Sequence, residues 1–76
     1  MEQIIEKHLQ KGEFRKALDL LEIQKKKEPD NITLNYYFGK IYFQLNDHKK
    51  SLFYFRKCNQ INQDNPIILY NIAQVL

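Results

Sequence analysis

The sequence repeats itself with a period of 34 residues, and this period limits the possible folds more than any other feature. A shift of 34 places Ala17 on Ser51 and Leu21 on Phe55, so small residues match small ones and large apolar residues match large ones. Further matched sets are Asp30-Asn31 with Asp64-Asn65, and Ile4 with Phe38 and Ile72. A period of this length predicts a stack of similar supersecondary units, each burying its apolar face only against a neighbour.

Within each unit, apolar residues recur at intervals of three and four, which predicts α-helices and not strands. Pro29 ends a helix because its ring clashes with the preceding turn and it has no N–H to donate. The residues predicted to cap a following helix are Asn31, Asp47 and Asn65. The predicted helices run from about Glu2 to Lys11, Glu13 to Lys27, Ile32 to Leu45, His48 to Ile61, and Pro66 to the end.

These elements predict an all-α fold, an α-solenoid of antiparallel helix pairs with about two and a third repeats. We expect one domain over residues 1–76. The first repeat covers about 1–31, the second about 32–65 and a partial third about 66–76.

The offsets of small and aromatic residues resemble those of the tetratricopeptide repeat family. In the second repeat, Phe38-Gly39 and Tyr42 match the first helix of that motif. Ser51, Phe55 and Cys58 match its second helix. Asn35 departs from the pattern, which usually has an aromatic residue or leucine there. Small residues such as Gly39 and Ser51 are expected where two helices cross closely.

The resemblance implies a scaffold or adaptor that binds a peptide or a partner helix on a concave face lined by the first helix of each pair. It implies partner-binding roles for Tyr36, Tyr37, Lys40, Phe43, Tyr70 and Asn71. Aromatic side chains are common at interaction hot spots. The alternative is that some of these four aromatic residues only complete the packing between repeats. The other residues expected on this face are Glu2, Gln3, Glu6, Leu9, Gln10, Thr33, Gln44, Ile67 and Gln74.

Some members of this family grip acidic chaperone tails with basic and amide side chains. The matching positions here are Glu2, Glu6, Tyr37, Ile67 and Asn71. Glu2 and Glu6 carry an acid where the motif has a basic and an amide side chain, and they would repel an anionic tail, so we expect no binding of acidic chaperone tails.

The C-terminal helix is the basis of an alternative function. The chain stops before a helix that would pair with this one, so its apolar residues would face water on at least one side. The residues predicted to mediate self-association are Ile68, Leu69, Ile72, Val75 and Leu76. Under this alternative the chain is a structural, self-assembling repeat, or the N-terminal fragment of a larger repeat protein whose open end oligomerises.

Composition argues against several other classes of protein. No stretch is long and apolar enough for a membrane span, and no secretory signal opens the chain, so we expect an intracellular, cytoplasmic protein. The net charge of +3 comes mostly from lysines suited to solvated helix faces, which makes nucleic-acid binding the weaker interpretation. Neither His8 nor His48 belongs to a recognisable catalytic or metal-ligand pattern, and Cys58 fits a small core position. We therefore expect no enzyme activity, no cofactor and no metal.

Overall fold

The computed structural model describes residues 2–76, apart from the side chain of Glu2. Its five helices are α1 (Glu2–Gln10), α2 (Phe14–Lys27), α3 (Ile32–Gln44), α4 (His48–Ile61) and α5 (Pro66–Val75). The predicted all-α fold is confirmed, since residues 2–76 form no strand. Met1, the predicted start of the first repeat, and the side chain of Glu2, predicted on the concave face, lie outside the described part.

The three predicted capping residues each accept a hydrogen bond from the first turn of their helix. Asn31 Oδ1 accepts from the backbone N–H of Leu34 at 3.1 Å, and Asp47 Oδ1 accepts from that of Lys50 at 3.2 Å. Asn65 caps α5 in the same way, and Pro66 follows it at the first position. These bonds satisfy N–H groups that have no partner inside the helix, so the helix starts are encoded locally.

The two turns inside the helix pairs have the same hydrogen-bond pattern, 34 residues apart. The backbone N–H of Glu13 donates to the carbonyl of His8, and that of Asp47 donates to the carbonyl of Tyr42, both at 2.8 Å. The residue before each donor is left-handed: Gly12 has a φ of 73° and Asn46 a φ of 63°. Both turns are therefore Schellman C-caps, and the sequence period is a structural period.

The α3–α4 pair crosses closely at Gly39. A Cβ atom at this position would lie 2.6 Å from the ring of Phe55, which is 1% exposed. The hydroxyl of Ser51 donates to the carbonyl of Gly39 at 2.7 Å across the same contact. The expected role of small residues at this crossing is confirmed.

A cluster of stacked rings joins the two complete helix pairs. The Tyr54 ring centroid lies 4.7 Å from that of Phe38 and 5.8 Å from that of Tyr42. Lys25 Nζ donates to Tyr54 Oη at 3.1 Å and lies over the Phe38 ring, while Lys50 Nζ lies over the Tyr42 ring. The hydrogen bond to Tyr54 raises the pKa of Lys25. Ring stacking thus fixes α4 against α3, and the contacts of Lys25 with Tyr54 and Phe38 join α2 to both helices.

Asn35, the departure from the family pattern, fixes the loop before α3. It is buried, and its Nδ2 donates to the carbonyl of Asn31 at 2.8 Å and to that of Pro29 at 3.2 Å. An apolar side chain would leave the Pro29 carbonyl without this partner. The hydrogen bonds to the loop therefore explain why asparagine occupies this position.

Candidate functional site

The first helices of the three units line one continuous surface, called here the first-helix face. A hollow of about 360 Å³ lies between α1 and α3, and one of about 150 Å³ lies where α3, α4 and α5 meet. Lys40 and Gln44 line both hollows and form the ridge between them. The other lining residues are Glu6, Leu9, Gln10, Phe14 and Ile41 in the first hollow, and Phe43, Phe55, Asn71 and Gln74 in the second. The structure thus brings Lys40, Phe43 and Asn71 together as partner-binding candidates.

Tyr36 joins this group through contacts between α3 and α5. Asn71 Nδ2 donates to Tyr36 Oη at 3.3 Å and to the carbonyl of Ile67 at 2.7 Å. Lys40 Nζ lies 5.6 Å from the centroid of the Tyr36 ring, which itself packs against Phe55. These contacts hold Tyr36, Lys40 and Asn71 in defined positions beside the second hollow.

Tyr37 is placed differently from the other candidates. Its side chain is 8% exposed, and its hydroxyl donates to Glu6 Oε1 at 2.7 Å, which joins α3 to α1. This burial favours the packing interpretation of Tyr37 over the binding one. The same contact places the Glu6 carboxylate at the first hollow, where it disfavours an anionic ligand.

The remaining two aromatic candidates, Phe43 and Tyr70, differ in their position relative to the second hollow. Phe43 is half-buried and its ring stacks on His48 with centroids 5.6 Å apart. Tyr70 is 64% exposed and lines neither hollow. It projects from α5 without a ring partner among the described residues. Phe43 is therefore held rigidly at the second hollow, whereas Tyr70 is separate from it.

The five residues predicted to mediate self-association differ in their exposure. Ile68 and Val75 are buried, because α4 already covers that side of α5. Ile72 is half-buried, and only Leu69 and Leu76 are exposed. These residues were expected to face water on at least one side of α5, and the structure leaves Leu69 and Leu76 exposed in this way.

Cys58 is buried, its Sγ donates to the Ile32 carbonyl at 3.6 Å, and burial raises its pKa to about 11. The described part of the chain has no cluster of three or more His, Cys, Asp or Glu residues that could hold a metal ion. None of the helices described is both long and apolar enough to cross a membrane.

Comparison with curated proteins shows that the chain is similar to a segment of larger proteins. It is 34% identical over 67 residues to DnaJ homolog subfamily C member 3 of Mus musculus and of Homo sapiens, covering 88% of this chain and 13% of each relative. The Gallus gallus protein of the same name is 37% identical over 58 residues, covering 76% of this chain and 12% of the relative. The chain thus spans about an eighth of the length of these curated relatives. No family model and no solved structure matches it.

Proposed function

We propose that this chain is a tetratricopeptide-type interaction module that binds an extended peptide segment of a partner protein along the first-helix face. The observation that carries the proposal is that the ridge residues Lys40 and Gln44 line both hollows. The two hollows therefore adjoin, and one extended peptide can cross the ridge and run from α1 over α3 to α5. The similarity to a segment of larger proteins supports the interpretation of the chain as an interaction module.

Side-chain amides give this face its capacity to bind a main chain. Gln10, Gln44, Asn71 and Gln74 all line the hollows. Each amide carries both donors and acceptors, and an extended peptide has an N–H and a C=O at each residue that are free to pair with them. The face can therefore bind a peptide without requiring a particular sequence at every position.

The apolar residues at the bottom of the two hollows and the opposite charges of Glu6 and Lys40 determine which peptide composition we expect to bind. Leu9 and Phe14 form part of the floor of the first hollow, and Phe55 part of that of the second. Glu6 and Lys40 contribute one charge of each sign. We expect peptides with two apolar side chains, spaced to reach both hollows, and a net charge near zero.

Selection from random peptides displayed on phage, followed by fluorescence anisotropy with the selected peptides, tests the proposal. The variant Lys40→Glu/Gln44→Ala changes two exposed residues on the ridge and should weaken binding by about tenfold or more, as expected for hot-spot residues. Circular dichroism checks that the helices are retained.

The matched control is Lys26→Glu/Gln60→Ala, which makes the same chemical changes at exposed positions on the second helices. We expect its affinities to equal those of the unaltered chain. Equal weakening by both double variants would show a nonspecific charge effect. Selection of no peptide, or of peptides insensitive to the ridge variant, would refute the proposed function.

A further inference from the structure

The exposed side of α4 carries a basic groove that shares no residue with the two hollows of the first-helix face. A hollow of about 560 Å³ follows this side of the helix and is larger than either of those two. Its lining residues are spaced at intervals of three and four, so they share one face of a single helix. These residues, called here the α4 groove, are Lys49, Leu52, Phe53, Arg56, Lys57 and Gln60.

The first helix pair shows that this side of a second helix stays open when another helix pair follows. The 34-residue register places the α4 groove on Arg15, Leu18, Asp19, Glu22, Ile23 and Lys26 of α2. All of these side chains are exposed except Leu18, which is half-buried as Leu52 is. They are exposed although α3 packs against α2 and α4 follows it. The exposure of the α4 groove is therefore a property of its place in the repeat.

The two copies of this side differ in charge although they occupy the same place in the fold. The side of α2 carries two bases and two acids, which balance each other. At the positions of the acids Asp19 and Glu22, α4 has Phe53 and Arg56, so the α4 groove carries three bases and no acid. The fold itself does not require this positive charge, because α2 folds in the same way without it.

The positive charge of the α4 groove is available to a ligand. Lys49 and Arg56 form no ion pair with the side chains that the structure describes. Lys57 Nζ lies 3.9 Å from Oδ1 of Asp30, whose side chain is 86% exposed, and surface pairs of this kind contribute little stability. The two helices packed most closely on α4, α3 and α5, contain no acidic residue. An anionic ligand therefore complements this surface.

An apolar wall lies between the cations of the groove. Phe53 is 62% exposed, and its ring meets that of Tyr54 edge to face with centroids 5.2 Å apart. Tyr54 is itself buried and accepts a hydrogen bond from Lys25, so its contact holds the Phe53 ring in a defined position. The ring and the half-buried Leu52 thus offer apolar surface to one side chain of a ligand.

We infer that the α4 groove binds a short peptide segment of a partner protein in which an apolar residue lies between two acids. Lys49, Phe53 and Lys57 follow one another at four-residue intervals, about 6 Å apart along the helix axis. In an extended peptide, alternate side chains lie on one side and are about 6–7 Å apart. An acid, an apolar residue and a second acid at alternate positions therefore match these three residues. Arg56 can also bind the second carboxylate through two N–H groups.

A short acidic segment complements this surface better than a nucleic acid or a membrane does. A polyanion that extended from α4 over the neighbouring α2 would meet Asp19 and Glu22, which are exposed there. A flat anionic membrane in contact with both helices would meet the same two carboxylates. Because like charges repel, the acids of the ligand must be few and confined to α4, as they are in a peptide.

Amide NMR titration of the full chain with two synthetic peptides tests the inference. The probe is the blocked peptide Gly-Ser-Glu-Ser-Leu-Ser-Glu-Ser-Gly, and the reference peptide has glutamine in place of both glutamates. The probe should bind about tenfold or more tightly than the reference, with the largest shift changes along α4. Arg56→Glu and Phe53→Asp should each weaken binding of the probe by about tenfold. Both substitutions introduce the residue that α2 has at the equivalent exposed position, so the fold should tolerate them.

The matched control is Arg15→Glu, which makes the same change of charge at an exposed position on α2. It should leave the affinity unchanged, as should the ridge variant Lys40→Glu/Gln44→Ala, which separates this site from the first-helix face. Equal affinities for the two peptides, equal effects of Arg56→Glu and Arg15→Glu, or no binding at all would overturn the inference. Tighter, Arg56-dependent binding of oligouridylate or of phosphatidylserine vesicles would also overturn it, because the ligand would then be a nucleic acid or a membrane.

Discussion

Replacing Gly39 with alanine tests the close crossing of α3 and α4. Alanine is the better helix former, so propensity alone predicts a gain of about 1 kcal/mol in the free energy of unfolding. The structure predicts a loss. The new Cβ would meet three atoms of the Phe55 ring at 2.6, 2.7 and 2.9 Å, and that ring is too deeply buried to swing into solvent.

The size of the loss follows from these two opposing effects. Adding a methyl group to a well-packed core costs about 1–3 kcal/mol, and three simultaneous contacts place this site in the upper half of that range. After the gain in helix propensity is subtracted, Gly39→Ala should destabilise the chain by about 1–2 kcal/mol. For a domain of this size that corresponds to a fall in Tm of roughly 5–15 °C.

Urea unfolding followed by circular dichroism measures this loss, and a double-mutant cycle with Phe55→Leu identifies its cause. The smaller leucine leaves room for the Cβ, so Gly39→Ala should be neutral or slightly stabilising in that background. Ala73→Gly, at the equivalent exposed position of α5, should cost only the difference in propensity, about 1 kcal/mol. A Gly39→Ala chain that is more stable than the parent, or a substitution that costs as much in the Phe55→Leu background, would refute the reasoning.

Three further predictions concern single residues. Asn46→Gly should raise the free energy of unfolding by about 0.5 kcal/mol in urea titrations, because Asn46 has a φ of 63° that glycine adopts without strain; an unchanged or lower value would contradict this. Burial raises the pKa of Cys58 to about 11 from 9.0. Stability should therefore fall as pH rises from 9 towards 11, where only the unfolded thiol ionises readily, and Cys58→Ala should remove this contribution. The hydrogen bond from His8 is the main cause of the lowered pKa of Glu13, so the stability it contributes is present above the unfolded value of 4.5 and is lost as pH falls through the folded value. His8→Ala should raise the Glu13 pKa in a carbon-13 NMR titration, and an unchanged pKa would show that His8 is not its cause.

The sequence was sufficient for the helices because their signals are local. Asn31, Asp47 and Asn65 cap the helices that follow them, and the 34-residue register predicted the close crossing at Gly39. Small differences remain at the ends: α3 ends at Gln44 rather than Leu45, since Leu45 forms the C-cap. Both the capping bonds and the crossing depend on residues within one helix pair.

The candidate site was less predictable because its geometry depends on residues distant in sequence. Tyr37 is buried, and its hydroxyl donates to Glu6, 31 positions earlier in the sequence. No pattern within α3 indicates this contact. The contact of Lys25 with Tyr54 spans 29 positions, and neither residue was predicted to take part in packing between repeats. The 34-residue register was sufficient to predict which residues belong to the first-helix face. It could not predict how deeply each side chain is buried, because burial depends on packing between helix pairs.

The consecutive arrangement of the helices has a kinetic consequence. The main packing contacts join α1 to α2, α2 to α3, α3 to α4 and α4 to α5, and the α3–α4 pair is the most extensively packed. Such contacts are close in sequence, so little loop-closure entropy opposes their formation. Folding can start at the α3–α4 hairpin and extend outwards in both directions, on the microsecond-to-millisecond scale of low-contact-order helical proteins. The terminal helices should then be the first to open in the native state and the last to acquire protection from hydrogen exchange.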